Sequence, residues 1–151
     1  MIHEHSIGTP FEIRFAPTLE EASTARQSAR AFLDHRSIDA AVAGDIELIV
    51  SELASNAVEQ RPDAPVRLTI ALIGSGVLVT VSNESRGDIP IAEWRPSGDV
   101  VDGGTGLPDR GWGLGIVEAL TDGLWCDEVD GWTSVACLRR FEPSPPSRWP
   151  A

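Results

Sequence analysis

Hydrophobic and polar residues alternate in "FEIRFA" (11–16), the pattern of a half-buried strand. The spacing changes in "TLEEASTARQSARAFLDHR" (18–36), where leucine, alanine and phenylalanine recur at helical intervals. Thr18 followed by Glu21 supplies a capping-box signal at its start. A second helix is predicted from "VAGDIELIVSELASNAVEQ" (42–60), ending before Pro62. Its apolar stripe is Val42, Ile46, Ile49, Val50, Leu53 and Ala57. "VRLTIALI" (66–73) and "GVLVTVSN" (76–83) alternate again and flank Gly74-Ser75-Gly76, which predicts a hairpin. A short helix over 113–122 and the strands "LWCDEV" and "TSVACLRRF" complete the pattern.

Between the hairpin and the third helix lies a segment, 84–111, rich in Gly, Pro, Asp and Ser and without periodicity. Such a length inside a compact domain reads as a lid or a disordered stretch. The predicted organisation is an N-terminal arm (1–9), one domain (10–141) that includes the lid, and a proline-rich disordered tail (142–151). Hairpin-joined strands with grouped helices imply an α+β, two-layer sandwich. Its sheet is expected to be mixed, mainly antiparallel, with three helices on one face. There is no internal repeat and no doubly wound order.

Composition narrows the chemistry. The chain has 151 residues and a formal net charge of −11, and all 12 of its basic residues are arginine. Without lysine, neither Schiff-base chemistry nor a lysine-bearing phosphate loop is available. The acidic balance argues against direct nucleic-acid binding, whose affinity comes largely from phosphate neutralisation. It suits either simple solubility or a basic protein partner. No apolar run approaches the roughly 20 residues of a membrane span, and "MIHEHSIGTP" has no signal-peptide core. The expectation is a cytoplasmic protein with no membrane association. Cys126 and Cys137 are too few for a disulfide framework and read as buried small apolar residues. His3, His5 and His35 have no ligand spacing.

Three features carry candidate chemistry. Glu52 and Asn56 stand four apart, on one border of the second helix's apolar stripe. Oxygen donors there can reach a cleft between helix and sheet and suit Mg²⁺, although a solvated helix edge has the same spacing. Asn83 shares parity with Val77, Val79 and Val81 and ends their row at the mouth of that cleft, where an asparagine is also a common turn former. The stretch "DRGWGLGIV" (109–117) sets Gly111, Gly113 and Gly115 at the start of the third helix. A helical glycine costs up to about 1 kcal/mol relative to alanine, so packing or a ligand must supply a reason. A helix N-terminus lined by glycines admits a phosphate close to its free N–H groups.

Taken in order, "ELASNAVEQ" resembles the N box of the GHKL (Bergerat-fold) ATPase superfamily, "VSNESRGDIP" stands at its first glycine box, and "GWGLGIV" resembles its second. The short layout is similar to the single-domain anti-sigma factor serine/threonine-protein kinases, over roughly residues 10–140. This resemblance implies a Bergerat sandwich holding ATP between sheet and helices under a lid. It implies Glu52 as general base and Asn56 as the Mg²⁺ ligand. For the nucleotide it implicates Asn83, Gly87, Arg110, Gly111, Gly113, Leu114, Gly115 and Thr133. Trp112 stands where the family often has arginine, which Arg110 would replace. Asn83 replaces the aspartate that opens the first glycine box, and Ser85 its middle glycine.

Two functions are consistent with this pattern. One is an ATP-dependent kinase that phosphorylates a serine or threonine of an anti-anti-sigma partner and otherwise sequesters a sigma factor. The alternative is a degenerate GHKL-fold binding module with weak or no nucleotide binding, switching partners without phosphorylation. Retained Glu52 and Asn56 favour the first; Asn83 and Ser85 favour the second. Family members are commonly homodimers, and by elimination the helix 18–36 is the candidate surface.

Overall fold

The computed structural model describes residues 7–60, 63–83, 114–129 and 132–142. The elements run β1 (Phe11–Phe15), α1 (Leu19–His35), α2 (Ala40–Gln60), β2 (Val66–Ile73), β3 (Gly76–Asn83), α3 (Leu114–Leu120), β4 (Gly123–Val129) and β5 (Trp132–Arg140). The five strands form one sheet in the order β1-β2-β3-β5-β4. Every pairing among the described residues is antiparallel, in keeping with the mainly antiparallel sheet expected. The consequence is an α+β sandwich with α2 at its centre, packed against α1, α3, β2, β3 and β5.

Local chemistry sets the helix ends. Thr18 caps α1, its Oγ1 accepting from the Glu21 N–H at 3.2 Å. The reciprocal half of a capping box is not made, because the Thr18 N–H donates to the Ala16 carbonyl at 2.7 Å. At the other end, Ser37 N–H donates to the Asp34 carbonyl and Ile38 N–H to the Leu33 carbonyl, both at 3.1 Å. That is a Schellman closure, with exposed Ser37 in the left-handed region at φ 58°. A side chain at this position is strained where glycine is not. Ser37→Gly is therefore expected to stabilise the fold by about 1 kcal/mol, a rise of roughly 2–4 °C in Tm, measured by thermal unfolding. α2 begins at Ala40, two residues before the expected start, since Asp39 caps it: its Oδ2 accepts from the Ala41 N–H at 3.1 Å. α3, described over Leu114–Leu120, ends two residues before the expected end.

The two long helices are clamped by charge. Glu47 on α2 takes Arg26 at 2.7 Å and Arg30 at 3.1 Å, and Arg30 also reaches Asp34 at 3.0 Å. Beneath them, Val42, Ile46, Ile49, Val50, Leu53 and Ala57 are all buried, the full apolar stripe read from the sequence. Complete burial of each large aliphatic side chain among them favours folding by about 1.5–3 kcal/mol. The β2–β3 hairpin turns through Gly74 and Ser75 between strands that begin and end as expected. Gly76 is required by close approach, because a Cβ there would collide with the Arg139 carbonyl on β5. On β2 the burial does not alternate: outer-face Arg67 and Thr69 are also buried, and Arg67 Nε reaches Glu12 Oε1 on β1 at 3.3 Å.

Cys137 is buried, whereas Cys126 is only half-buried, a correction to the expectation for the second thiol. Burial pushes the Cys126 thiol up to about 11 and raises Cys137 further, with Cys126 adding to the rise. Because the thiolate is the nucleophile, both cysteines are expected to resist alkylation at pH 8 until the protein unfolds. Iodoacetamide labelling followed by mass measurement, with and without denaturant, checks this. Among the described residues no helix is long and apolar enough to cross a membrane.

Candidate functional site

The site grows from the C-terminal half of α2. Glu52, Asn56 and Gln60 occupy successive turns, four residues apart, and so rise along one face of the helix. All three are half-buried, at the border between the buried stripe and solvent. Opposite them, Val77, Val79 and Val81 form the inward row of β3, and Asn83 ends that row, itself only 3% exposed.

The end of β3 meets the end of α2. Asn83 Nδ2 donates to the Ala57 carbonyl, in the last described turn of α2, at 3.0 Å. Between the two elements lies a shallow recess lined by Leu53, Asn56, Ala57, Gln60, Val81, Asn83 and Val135. Its walls are apolar and its polar atoms are amides, the usual make-up of a small-molecule site. No ionisable side chain is among these lining residues.

Two polar groups here are open. Asn56 Nδ2 is buried with no hydrogen-bond partner among the described residues. Leaving such a donor unpaired costs about 1–3 kcal/mol, which a ligand can recover. Among the described residues, no hydrogen bond or ion pair engages the Glu52 carboxylate. A second buried orphan among the described residues, Ser134 Oγ, lies across the sheet from the recess, since Ser134 alternates with Val135 along β5.

The structure thus brings together Asn56 and Asn83 at one recess, with Glu52 one turn along α2 from Asn56. Thr133 falls on β5, opposite Glu128 and two residues before Val135. Leu114 is the first residue of α3, and Gly115 follows it, exposed. Among the described residues nothing lies within 4 Å of where a Gly115 Cβ would stand, so packing against them is not the reason for that glycine. Gly87, Arg110, Gly111 and Gly113, together with the expected lid and tail, lie outside the described residues. Sequence reasoning missed Gln60, whose signal was its i+4 spacing from Asn56. It also missed Val135, which only the β3–β5 register brings to the recess.

The donor set is compatible with a magnesium nucleotide: the apolar lining suits the face of a base, and the Asn56 amide has no partner among the described residues. No cluster of three or more His, Cys, Asp or Glu side chains forms a metal cage among the described residues. A cation held here would thus take most of its ligands from phosphate and water, the habit of Mg²⁺. The residues present fit the group.

No curated protein sequence matches this chain. Among solved structures, the crystal structure of the RsbU and RsbW domains of Rv1364c from Mycobacterium tuberculosis is similar, with a TM-score of 0.64 at 22% identity. The match covers 87% of this chain and 32% of that one, so this chain spans about a third of its structural neighbour. At that identity the likeness establishes the fold. Residues 15–137 match the family model of the histidine kinase-like ATPase domain. Most of the chain lies within that match, and the protein belongs to the histidine kinase-like (GHKL) ATPase family.

Proposed function

We propose that the recess binds ATP with Mg²⁺, and that the protein transfers the terminal phosphoryl group to a serine or threonine hydroxyl of a protein partner. The observation that carries this reading is the pair of open groups on α2: the unpartnered Asn56 amide at the recess and the unengaged Glu52 carboxylate one turn away. Bound Mg-ATP would supply the transferable phosphoryl group and the cation that neutralises its developing charge. Asn83 and the apolar walls would orient the base, and Asn56 would hold the cation through its side-chain oxygen, leaving its Nδ2 donor for a phosphate oxygen. Glu52 would accept the hydroxyl proton of the incoming serine as its oxygen attacks phosphorus and ADP leaves. Gly111, Gly113, Leu114 and Gly115, with Gly87 and Arg110, are the proposed phosphate-side residues, and Thr133 is proposed at the base end.

By the order of its motifs, the partner is proposed to be an anti-anti-sigma protein, with a sigma factor held when that partner is absent. A homodimer belongs to the same reading. Incubation with Mg-ATP and candidate serine-bearing antagonists is expected to yield one phosphorylated hydroxyl per partner, located by mass spectrometry. Asn83 in place of an aspartate favours a second reading, a binding module without phosphoryl transfer. Partner binding that is indifferent to ATP, with no phosphorylated product, would decide for it.

A further inference from the structure

The described helices lie on one face of the sheet: α2 packs on β2, β3 and β5, and α1 and α3 pack on α2. The opposite face of β5 carries Ser134, Ala136 and Leu138, yet these are as buried as the core, at 0%, 0% and 6% exposure. Their cross-strand neighbours on that face are short: Ser82 and Asp127 flank Ser134, and Thr80 flanks Ala136. Trp125, opposite Ala136, turns along its own strand instead, its ring atoms 2.6–3.2 Å from where a Gly123 Cβ would stand. Such burial on a face without helices requires a cover.

We infer that the outer face of β5 is a docking surface for the chain's own proline-rich segment after Glu142, folded back as polyproline II with Trp149 against Ser134 and Arg148 beside Asp127. The path begins in the right place. β5 ends at Arg140, opposite Gly76, and the Phe141 N–H donates to the Ser75 carbonyl at 3.0 Å, so the chain leaves the sheet just beyond Leu138. The reach suffices: about 20 Å of strand separate Arg140 from Ser134, and Pro143 to Trp149 spans about 22 Å as polyproline II. Residues 1–6 start farther off, at Ile7, whose N–H donates to the Leu72 carbonyl on β2, two strands from β5. Residues 84–113 leave from Asn83 at the recess and return to α3, both on the helix side.

The chemistry of the two surfaces matches. The segment "PSPPSRWPA" (143–151) is built on proline, with one tryptophan and a single charged side chain, Arg148. Proline has no N–H to leave unpaired on an apolar strip, and polyproline II is preformed, so docking it costs little chain entropy. Its carbonyls have no internal partner and can accept from Ser134 Oγ, which no described residue engages. Trp149 supplies the large apolar surface that the strip lacks. Arg148 meets the Asp127 carboxylate, opposite Ser134, and this contact sets the register. With the segment in place the outer face is closed to a second copy of the chain, so a homodimer would use another surface.

The test uses the full chain. Subtracting the fluorescence of Trp149→Phe from that of wild type isolates Trp149 from the chain's other tryptophans. Acrylamide is expected to quench Trp149 severalfold less in native protein than in urea, at concentrations where light scattering shows a monomer. Ala136→Arg, whose side chain fills the strip, is expected to restore full quenching while unfolding stays cooperative. Thr80→Arg, beside it on the same face, takes its place if that variant does not fold. Trp149→Ser is expected to lower Tm by about 3 °C or more. Trp149 as open to acrylamide in native protein as in urea, or a Tm unmoved by Trp149→Ser, overturns the inference. So does shielding that the arginine variants leave intact, because the segment then docks elsewhere. Shielding confined to a dimer, and lost on dilution to monomer, also overturns it and assigns the face to a second copy.

Discussion

Replacing Glu52 by glutamine is expected to reduce phosphoryl transfer by about 10²–10⁴-fold while leaving Mg-ADP affinity and Tm close to wild type. The reason is geometric. Glu52 is half-buried on the border of α2, has no hydrogen-bond or ion-pair partner among the described residues, and is not a lining residue of the recess. Removing its charge breaks no contact that holds the fold. Glutamine keeps the shape and cannot take a proton. Rates of partner phosphorylation under single-turnover conditions, set beside calorimetric Mg-ADP titration, separate the two effects. A variant that transfers phosphate at the wild-type rate would show that the proton goes elsewhere.

The second large effect is expected at Asn56. Asn56→Ala should lower kcat/KM by about 10²-fold, the scale seen when one preorganised polar group is removed from a site. It should also weaken Mg-ADP binding more than binding of ADP in the presence of a chelator. The buried Nδ2 has no partner among the described residues, so truncation removes an unsatisfied donor and is not expected to lower stability. Loss of binding with stability kept is a combination that a merely structural asparagine would not produce. Equal weakening with and without Mg²⁺ would place Asn56 against the base or sugar instead of the cation.

Much of this arrangement was legible in the sequence because it depends on periodicity. The apolar stripe of α2 and the inward valines of β3 are each set by a single repeat distance, and the structure buries them all. Gly74 and Ser75 fixed the hairpin, which then held both strand ranges. What was not legible depends on distant pairs. The Asn83–Ala57 bond spans 26 residues and exists only because the fold brings Asn83 of β3 against the last described turn of α2. Val135 reaches the recess through the β3–β5 register, opposite Val81. The early start of α2 came from Asp39, a cap whose signal sits outside the periodic run.

The most direct measurement is calorimetric titration of the purified wild-type protein with Mg-ADP at neutral pH, on material shown to be folded by a cooperative thermal transition. Saturable binding at one site per chain, lost when the recess is filled by Val81→Trp in a variant that still unfolds cooperatively, is the predicted result. A folded wild-type protein that gives no binding heat at any temperature tried, and no shift in Tm with saturating Mg-ADP, would contradict a nucleotide site between α2 and the sheet.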